Sequence, residues 1–455
     1  MAEVIPVETP TLGDRSYLAH DGQVAVVIDP QRDVDRIRAL AEQRGVRITH
    51  VAETHIHNDY VTGGLALSRA AGASYLVNAA DAVSFDRTPV RDGDFLEIGA
   101  AMRLRVLATP GHTFTHLSYV LEAADEVARV FTGGSLLYGS TGRPDLLGPE
   151  NTAALAHAQY ASARRLAREL PDEAEIFPTH GFGSFCSATQ AQGLASTIGR
   201  EKQFNPVLTL DERIYLETLI AGLDAWPAYY VHMGPANTAG PAAPDLSPPR
   251  QADPAEVRRR IQAGEWVVDL RDRIAFAAGF VPGTFSFPLD GSFASYLGWA
   301  IPWGTPVTLL GATAEHVSQA QRELARIGID RPAAAATGKP ENWADSQPLA
   351  SLRLAKFGDL AAAVAAQGVG DLVVLDVRRR LEWETSHIAG TIHIPFSELT
   401  GRMDEIPPGD VWVHCRTGYR SMVAASMLAA RGRTAISVDD EYDNARPAGL
   451  TLVPA

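Results

Sequence analysis

Cys415 opens the run Cys415-Arg416-Thr417-Gly418-Tyr419-Arg420, directly after an apolar stretch at 411–413 and ahead of a helix-like pattern over 421–431. A thiol at a strand–loop–helix turn faces several backbone N–H groups and the positive end of a helix dipole. Arg416 and Arg420 add positive charge to the same loop, and Thr417, Gly418 and Tyr419 complete it. This setting favours thiolate, the nucleophilic form, and makes the loop a cradle for an anion. A buried structural cysteine is the alternative. The flanking arginines and glycine argue for the reactive one.

A second group of chemistry-bearing residues lies near the start of the chain. In Thr54-His55-Ile56-His57-Asn58-Asp59-Tyr60 the alternating histidines share one side of an extended strand end. Imidazole suits zinc and iron, so this is metal-ligand spacing. Three more strand ends follow in order: Thr109-Pro110-Gly111-His112-Thr113, Phe131-Thr132-Gly133-Gly134-Ser135 and Phe177-Pro178-Thr179-His180-Gly181. One H-x-H pair is weak evidence; the ordered set is much stronger. His55, His57 and His112 are the expected ligands. Asp59 and His180 are expected behind them or at a second site. Cys186, soon after His180, is a candidate persulfide carrier or a small buried apolar residue.

The elements that must position these groups follow from composition and pattern. At 455 residues the chain exceeds one ordinary core. Its 46% hydrophobic and 21% charged content are those of a globular protein. Segments at 235–254 and 331–348 read as linkers rich in turn residues. They predict three domains, at 1–240, 253–340 and 353–455. The last two read as a repeat: Val267-Val268-Asp269-Leu270-Arg271 mirrors Val374-Leu375-Asp376-Val377-Arg378. Gly311 stands where Cys415 stands, so the middle copy lacks the thiol. Alternating strand and helix patterns predict α/β sheets. No run reaches the ~20 apolar residues of a membrane span, and residues 1–10 lack a signal-peptide pattern. With two cysteines a disulfide framework is not expected, and a cytoplasmic location is. A formal net charge of −14 disfavours nucleic acid and anionic membranes as partners. A homo-oligomer is compatible with the sequence.

The Cys415 loop, with 375–378 and the run His387-Ile388-Ala389-Gly390-Thr391-Ile392-His393-Ile394-Pro395, resembles the rhodanese-type sulfurtransferases. The resemblance implies that Cys415 carries sulfane sulfur as a persulfide and that Arg416 and Arg420 attract an anionic donor such as thiosulfate. The C-x5-R loop of cysteine phosphatases is one residue longer; here Ser421 stands at that sixth position. The four histidine- and glycine-bearing strand ends resemble the metallo-β-lactamase fold, an αββα sandwich, in its glyoxalase II and persulfide dioxygenase branch. The whole chain resembles a fusion of that fold with two rhodanese-like domains. The resemblance implies one mononuclear metal, ferrous iron first and zinc second, and a low-molecular-weight persulfide as substrate. Two positions depart from the pattern. Tyr60 replaces a second-site histidine, and Gly134 replaces an aspartate that ligates iron beside the counterparts of His55 and His112. Asp145 matches a different, structural aspartate.

Four functions therefore compete. The first joins persulfide oxidation at the metal to sulfur transfer at Cys415. The second keeps only the sulfurtransferase, with a degenerate or metal-free first domain. The third is a zinc thioester hydrolase of glyoxalase II type, and the fourth a non-enzymatic persulfide carrier.

Overall fold

The structure, a computed structural model, describes residues 2–123, 126–189, 193–367 and 372–454. It divides into two compact units. The first comprises Met1–Leu223, Tyr229–Asp245 and Ala325–Asp330; the second comprises Asp224–Ala228, Leu246–Leu324 and Arg331–Ala455.

Alternation along the strands builds the first unit. β1 to β6 (Glu3–Thr9, Asp14–His20, Val24–Ile28, Arg47–Ala52, Ser74–Asn78, Thr88–Val90) form one sheet in sequence order. β7 to β12 (Phe95–Glu97, Met102–Ala108, Leu117–Ala123, Arg129–Gly133, Glu175–Pro178, Ser196–Thr197) form the other, also in sequence order. Within β3, Val26 and Ile28 face Leu104, Tyr119 and Phe131 of the second sheet. Their neighbours Ala25 and Val27 face the other way, onto Ile37 and Ala41 of helix Asp35–Arg44 and Leu65 and Leu67 of helix Gly64–Ala71. The period of two thus feeds two cores from one strand. On the far side, Leu107, Val120 and Ile176 pack under Ala156, Ala163 and Leu166 of helix Pro149–Glu169. The result is the expected four-layer αββα sandwich.

The second unit holds two parallel sheets. β13 to β16 (Trp266–Asp269, Phe285–Ser286, Val307–Gly311, Ala334–Thr337) run in the order β14-β13-β15-β16. The other sheet contains β17, β18, β20, β21 and β22 (Arg353–Ala355, Val373–Asp376, Ile392–His393, Val411–His414, Ala435–Val438), ordered β17-β22-β21-β18-β20. A short pair, β19 (His387–Ile388) with β23 (Leu452–Val453), stands apart. The two sheets share one plan. In the first, Arg271 reaches Asp269 at 2.6 Å and Gly279 O at 2.8 Å; in the second, Arg378 reaches Asp376 at 2.8 Å and Ser386 O at 2.7 Å.

The expected linkers are partly structured. Residues 331–348 include β16, whose Ala334-Ala335-Ala336 core has side chains too small to register as a strand by apolar pattern. Helix Tyr230–Ala239 opens the 235–254 segment and holds Pro235 inside it. Ala325–Asp330 belongs to the first unit although it lies within the span 253–340. Among the described residues no helix is long and apolar enough to cross a membrane.

Candidate metal centre and reactive cysteine

The histidines converge at one edge of the sandwich, on the loops leaving β4, β8 and β11. His55, His112 and His180 each offer a ring nitrogen, and these atoms lie within 4.8 Å of one another. All three residues are buried. Their tautomers are fixed by what holds the opposite nitrogen. Thr54 spends its hydroxyl proton on Asp29 Oδ2 at 2.7 Å, so its oxygen accepts from His55 Nδ1 at 2.8 Å. His112 Nδ1 lies 2.8 Å from the Arg143 carbonyl, and His180 Nδ1 lies 2.9 Å from Asp14 and 3.2 Å from Asp59. A carbonyl or carboxylate can only accept, so each Nδ1 carries the proton. That leaves Nε2 of all three rings turned to a common point. His55 Nε2 and His180 Nε2 are 3.4 Å apart, and His112 Nε2 is buried without a partner among the described residues.

Electrostatics divides these rings. Burial, aided by neighbouring imidazoles, pushes His55 far down and His112 down to about 3, so both are neutral donors. For His180, burial is outweighed by Asp59 and Asp14, which lift it to about 10. Burial and the Asp59 charge lift Asp14 to about 7. Asp59 goes down despite burial, because of His180.

His57 groups apart from His55 and His112: its ligand atoms lie within 4.8 Å of those of Asp59 and His180, and of those of Asp29 and Glu53. Its Nε2 lies 3.3 Å from Asp29, 3.2 Å from Glu53 and 3.0 Å from the Tyr60 hydroxyl. Burial disfavours its charge, but Asp29 and Glu53 outweigh this and lift it to about 9. His57 is thus a buried counter-ion, with Tyr60 stacked on it at 4.3 Å. His180, expected behind the ligands or at a second site, stands in both groups, with His55 and His112 and with His57 and Asp59. Cys186 is fully buried, and burial with Asp59 and Asp14 holds its thiol far up, so it is a protonated neighbour of Asp59. Arg143 pairs with Asp145 at 2.7 Å, and the Tyr138 hydroxyl donates to Ile176 O; both anchor loops.

Pattern reading misses three supports. His116 accepts the Gly134 N–H at 2.9 Å and stacks on His55 at 5.0 Å. Its four-residue spacing from His112 was the available signal. Asn237 donates to His57 O at 2.8 Å and Tyr60 O at 2.9 Å, clamping the H-x-H loop from a distant helix. Asp29 binds Thr54 N at 2.7 Å and also takes a bond from Thr179, tying two ligand loops together.

In the second unit, Cys415 follows β21 and precedes helix Tyr419–Ala430. Its Sγ receives the Gly418 N–H at 3.2 Å and lies 3.7 Å from Ser421 Oγ. Gly418 has φ +104°, and a Cβ there would lie 2.3 Å from Asp439 Oδ1, so no other residue fits the turn. Tyr419 points its hydroxyl away, to Pro288 O at 3.1 Å. Thr417 is exposed beside Arg416. The two expected arginines differ. Arg420 is buried and pairs with Glu382 at 2.6 and 3.0 Å, so its charge is already matched. Arg416 is exposed and lines a cleft of about 660 Å³ with Arg378, Glu382, Tyr442 and Arg446. At the corresponding end of β15, Gly311 is followed directly by helix Ala314–Arg326, and a Cβ there would meet Val317 and His316.

Comparison with known proteins follows this division. The Metallo-beta-lactamase superfamily model matches residues 12–180, and the Rhodanese-like domain model matches 359–444. The chain is 30% identical over 204 residues to the persulfide dioxygenase ETHE1 of Homo sapiens, covering 44% of this chain and 71% of that protein. The chain belongs to the metallo-β-lactamase superfamily. Within the superfamily it is also 31% identical over 233 residues to a hydroxyacylglutathione hydrolase of Cupriavidus taiwanensis, covering 46% of this chain and 86% of that one. A crystal structure of a metallo-beta-lactamase from Staphylococcus aureus subsp. aureus COL aligns with a TM-score of 0.66 at 27% identity, over 74% of this chain and 99% of that one. As a superfamily member with a rhodanese-like domain, this chain carries a buried His/Asp cluster able to hold a metal ion.

Proposed function

We propose that the chain is an enzyme of sulfur metabolism that joins metal-dependent oxidation of a low-molecular-weight persulfide to sulfane-sulfur transfer through Cys415. The likeness to persulfide dioxygenases in the first unit and the rhodanese-like match in the second support the pairing. The matching plan of the two parallel sheets supports reading 253–340 as a rhodanese-like copy without the thiol.

The observation that carries the transfer reaction is the Gly418 N–H aimed at Cys415 Sγ. In that reaction the Cys415 thiolate attacks the outer sulfur of thiosulfate. The S–S bond breaks, sulfite leaves with the electron pair, and Cys415 keeps the sulfur as a persulfide. A second thiolate then takes that sulfur and restores the Cys415 thiolate. The loop amides and the N-terminus of helix Tyr419–Ala430 stabilise the anionic sulfur. Exposed Arg416 meets the anionic donor, while Arg420, neutralised by Glu382, holds the loop.

The residues of the first unit fit a metal ion: His55 and His112 are neutral imidazoles, His180 is backed by two carboxylates and would give up its Nε2 proton on binding, and His112 Nε2 is a buried acceptor without a partner among the described residues. Ferrous iron, when bound, supplies Lewis-acid and one-electron chemistry for oxidation of a terminal sulfur by dioxygen. Persulfide, dioxygen and water balance against thiol and sulfite. Hydrolysis of a thioester, as the hydroxyacylglutathione hydrolase relatives suggest, is the weaker reading, because Tyr60 and Gly134 remove donors from a second metal position.

Two measurements test this function. Incubation with thiosulfate should add one sulfur atom to intact protein, and Cys415→Ser should take none. Iron-loaded protein given glutathione persulfide should consume oxygen. Sulfur addition without oxygen uptake leaves only the sulfurtransferase; no sulfur on Cys415 defeats the transfer reading.

A further inference from the structure

We propose that His180 takes over the metal position for which residue 134 has no side chain, so that one ion is held by Nε2 of His55, His112 and His180, and that His57 is not a ligand. This rests on the metal centre of the proposed function and gives it a ligand set that the resemblance does not.

Space argues first. A Cβ on Gly134 would lie 2.4 Å from His112 Cδ2 and 2.6 Å from its Cγ. One on Gly133 would lie 2.5 Å from His116 Nε2 and from Thr54 Oγ1, and one on Gly142 would lie 2.7 Å from His112 Nδ1. The His112 ring therefore fills the room in which an aspartate at 134 would begin. Position 134 is closed to a ligand by packing, and the third donor must come from another loop.

Geometry then selects His180. In a tetrahedral site with metal–nitrogen bonds of about 2.05 Å, neighbouring nitrogens sit roughly 3.3–3.4 Å apart. The Nε2 atoms of His55 and His180 are 3.4 Å apart. A ring nitrogen of His112 completes the group, within 4.8 Å of both, and His112 Nε2 has no partner among the described residues. By contrast, His57 Nε2 is occupied by Asp29, Glu53 and Tyr60; its Nδ1 has no partner among the described residues, but His57 groups with Asp59 and His180, or with Asp29 and Glu53, and not with His55 and His112.

Charge is conserved by displacement. Exchanging a ligating aspartate for an imidazole removes one negative charge from the inner ring. Asp14 and Asp59 restore it one bond further out, both against His180 Nδ1, at 2.9 and 3.2 Å. Carboxylates in that place raise the donor strength of an imidazole and hold its ring in line.

The test reads metal content rather than turnover. Metal-stripped full-length protein is reloaded with Zn²⁺, or with Fe²⁺ without oxygen, and metal per chain and affinity are measured by chelator competition, with circular dichroism as the fold control. Wild type should hold one ion. His180→Gln should lose at least 100-fold in affinity, and His57→Gln should keep the ion within a few-fold. Asp14→Asn, which leaves all three rings in place, should lose about 10–100-fold. X-ray absorption on the zinc form should show three imidazoles in wild type and in His57→Gln. A folded His180→Gln protein with unchanged affinity overturns the proposal, as does loss of the ion in folded His57→Gln. If folded wild type takes up no metal, the metal reading of the proposed function fails with it.

Discussion

Glu382 shows how one buried carboxylate can govern the reactive loop. Its bidentate pair with Arg420 fixes the first turn of the helix that follows Cys415. Burial would raise the Glu382 pKa, yet Arg420 outweighs it and the group lies below the ordinary carboxylate value of 4.5. A depressed folded-state value means that the pair stabilises the fold fully above the unfolded value. That stability is lost as pH falls through the folded value. Denaturant midpoints should therefore drop from about pH 5 downward. Glu382→Gln should lose about 1.5–3 kcal/mol at neutral pH and should show a shallower acid decline. Equal acid slopes in the two proteins would show that the pair does not carry the dependence. None of this is legible in the run 415–420, because Glu382 lies 38 residues upstream. Read alone, the run makes Arg420 look like a free anion binder. The strand, turn and helix around Cys415 and Gly418 were legible because they are contiguous in sequence.

At the level of elements, the thiol-free sheet and the Cys415 sheet meet within one unit, and the contact reaches the reactive loop. Arg273, first residue of helix Arg273–Ala278, places Nε 2.5 Å from Asp439, the residue after β22. Asp439 in turn lies against Gly418, and Arg273 is close enough to interact electrostatically with Cys415. Ser286 N also donates to Ser426 Oγ, and Tyr296 packs on Tyr419 at 5.2 Å. Losing Arg273 would remove the close partner of the Asp439 carboxylate beside an anion-binding loop and leave it Lys356 at 3.8 Å. Arg273→Ala should raise the KM for thiosulfate about 3–10-fold, a cost of roughly 1 kcal/mol, with kcat little changed, and Arg273→Lys should recover part of it. A fall in kcat at constant KM would instead mark a role in the chemical step. The shared aspartate–arginine pairing of the two sheets was readable from Asp269-Leu270-Arg271 against Asp376-Val377-Arg378. The role of the thiol-free copy was not, since it depends on pairs more than 130 residues apart.

At the level of the whole molecule, the chain carries two candidate sites in two compact units, and each unit builds its site differently. The Cys415 site is local in sequence. The histidine site is assembled from strand ends 125 residues apart between His55 and His180, and 166 apart between Asp14 and His180. Pattern reading therefore found the strand ends and paired His55 with His112; that His180 groups with them depends on the room left by Gly133 and Gly134 and on buried carboxylates from other strands. The same contrast predicts how each site responds to its ligand. An ion tying together the loops after β4, β8 and β11 closes long loops at once and stabilises by about 2.7 kcal/mol at 100 times its dissociation constant. Hydrogen exchange should therefore slow on adding Zn²⁺ in peptides covering 53–62, 109–116 and 178–183, and recover on chelation. Peptides over 411–422 should not change with metal. They should instead slow when thiosulfate loads Cys415, because a persulfide engages amides of its own turn alone. Metal-dependent protection of the Cys415 turn, or thiosulfate-dependent protection of the histidine loops in Cys415→Ser, would show that the two sites are coupled and that the division into separate chemistries is wrong.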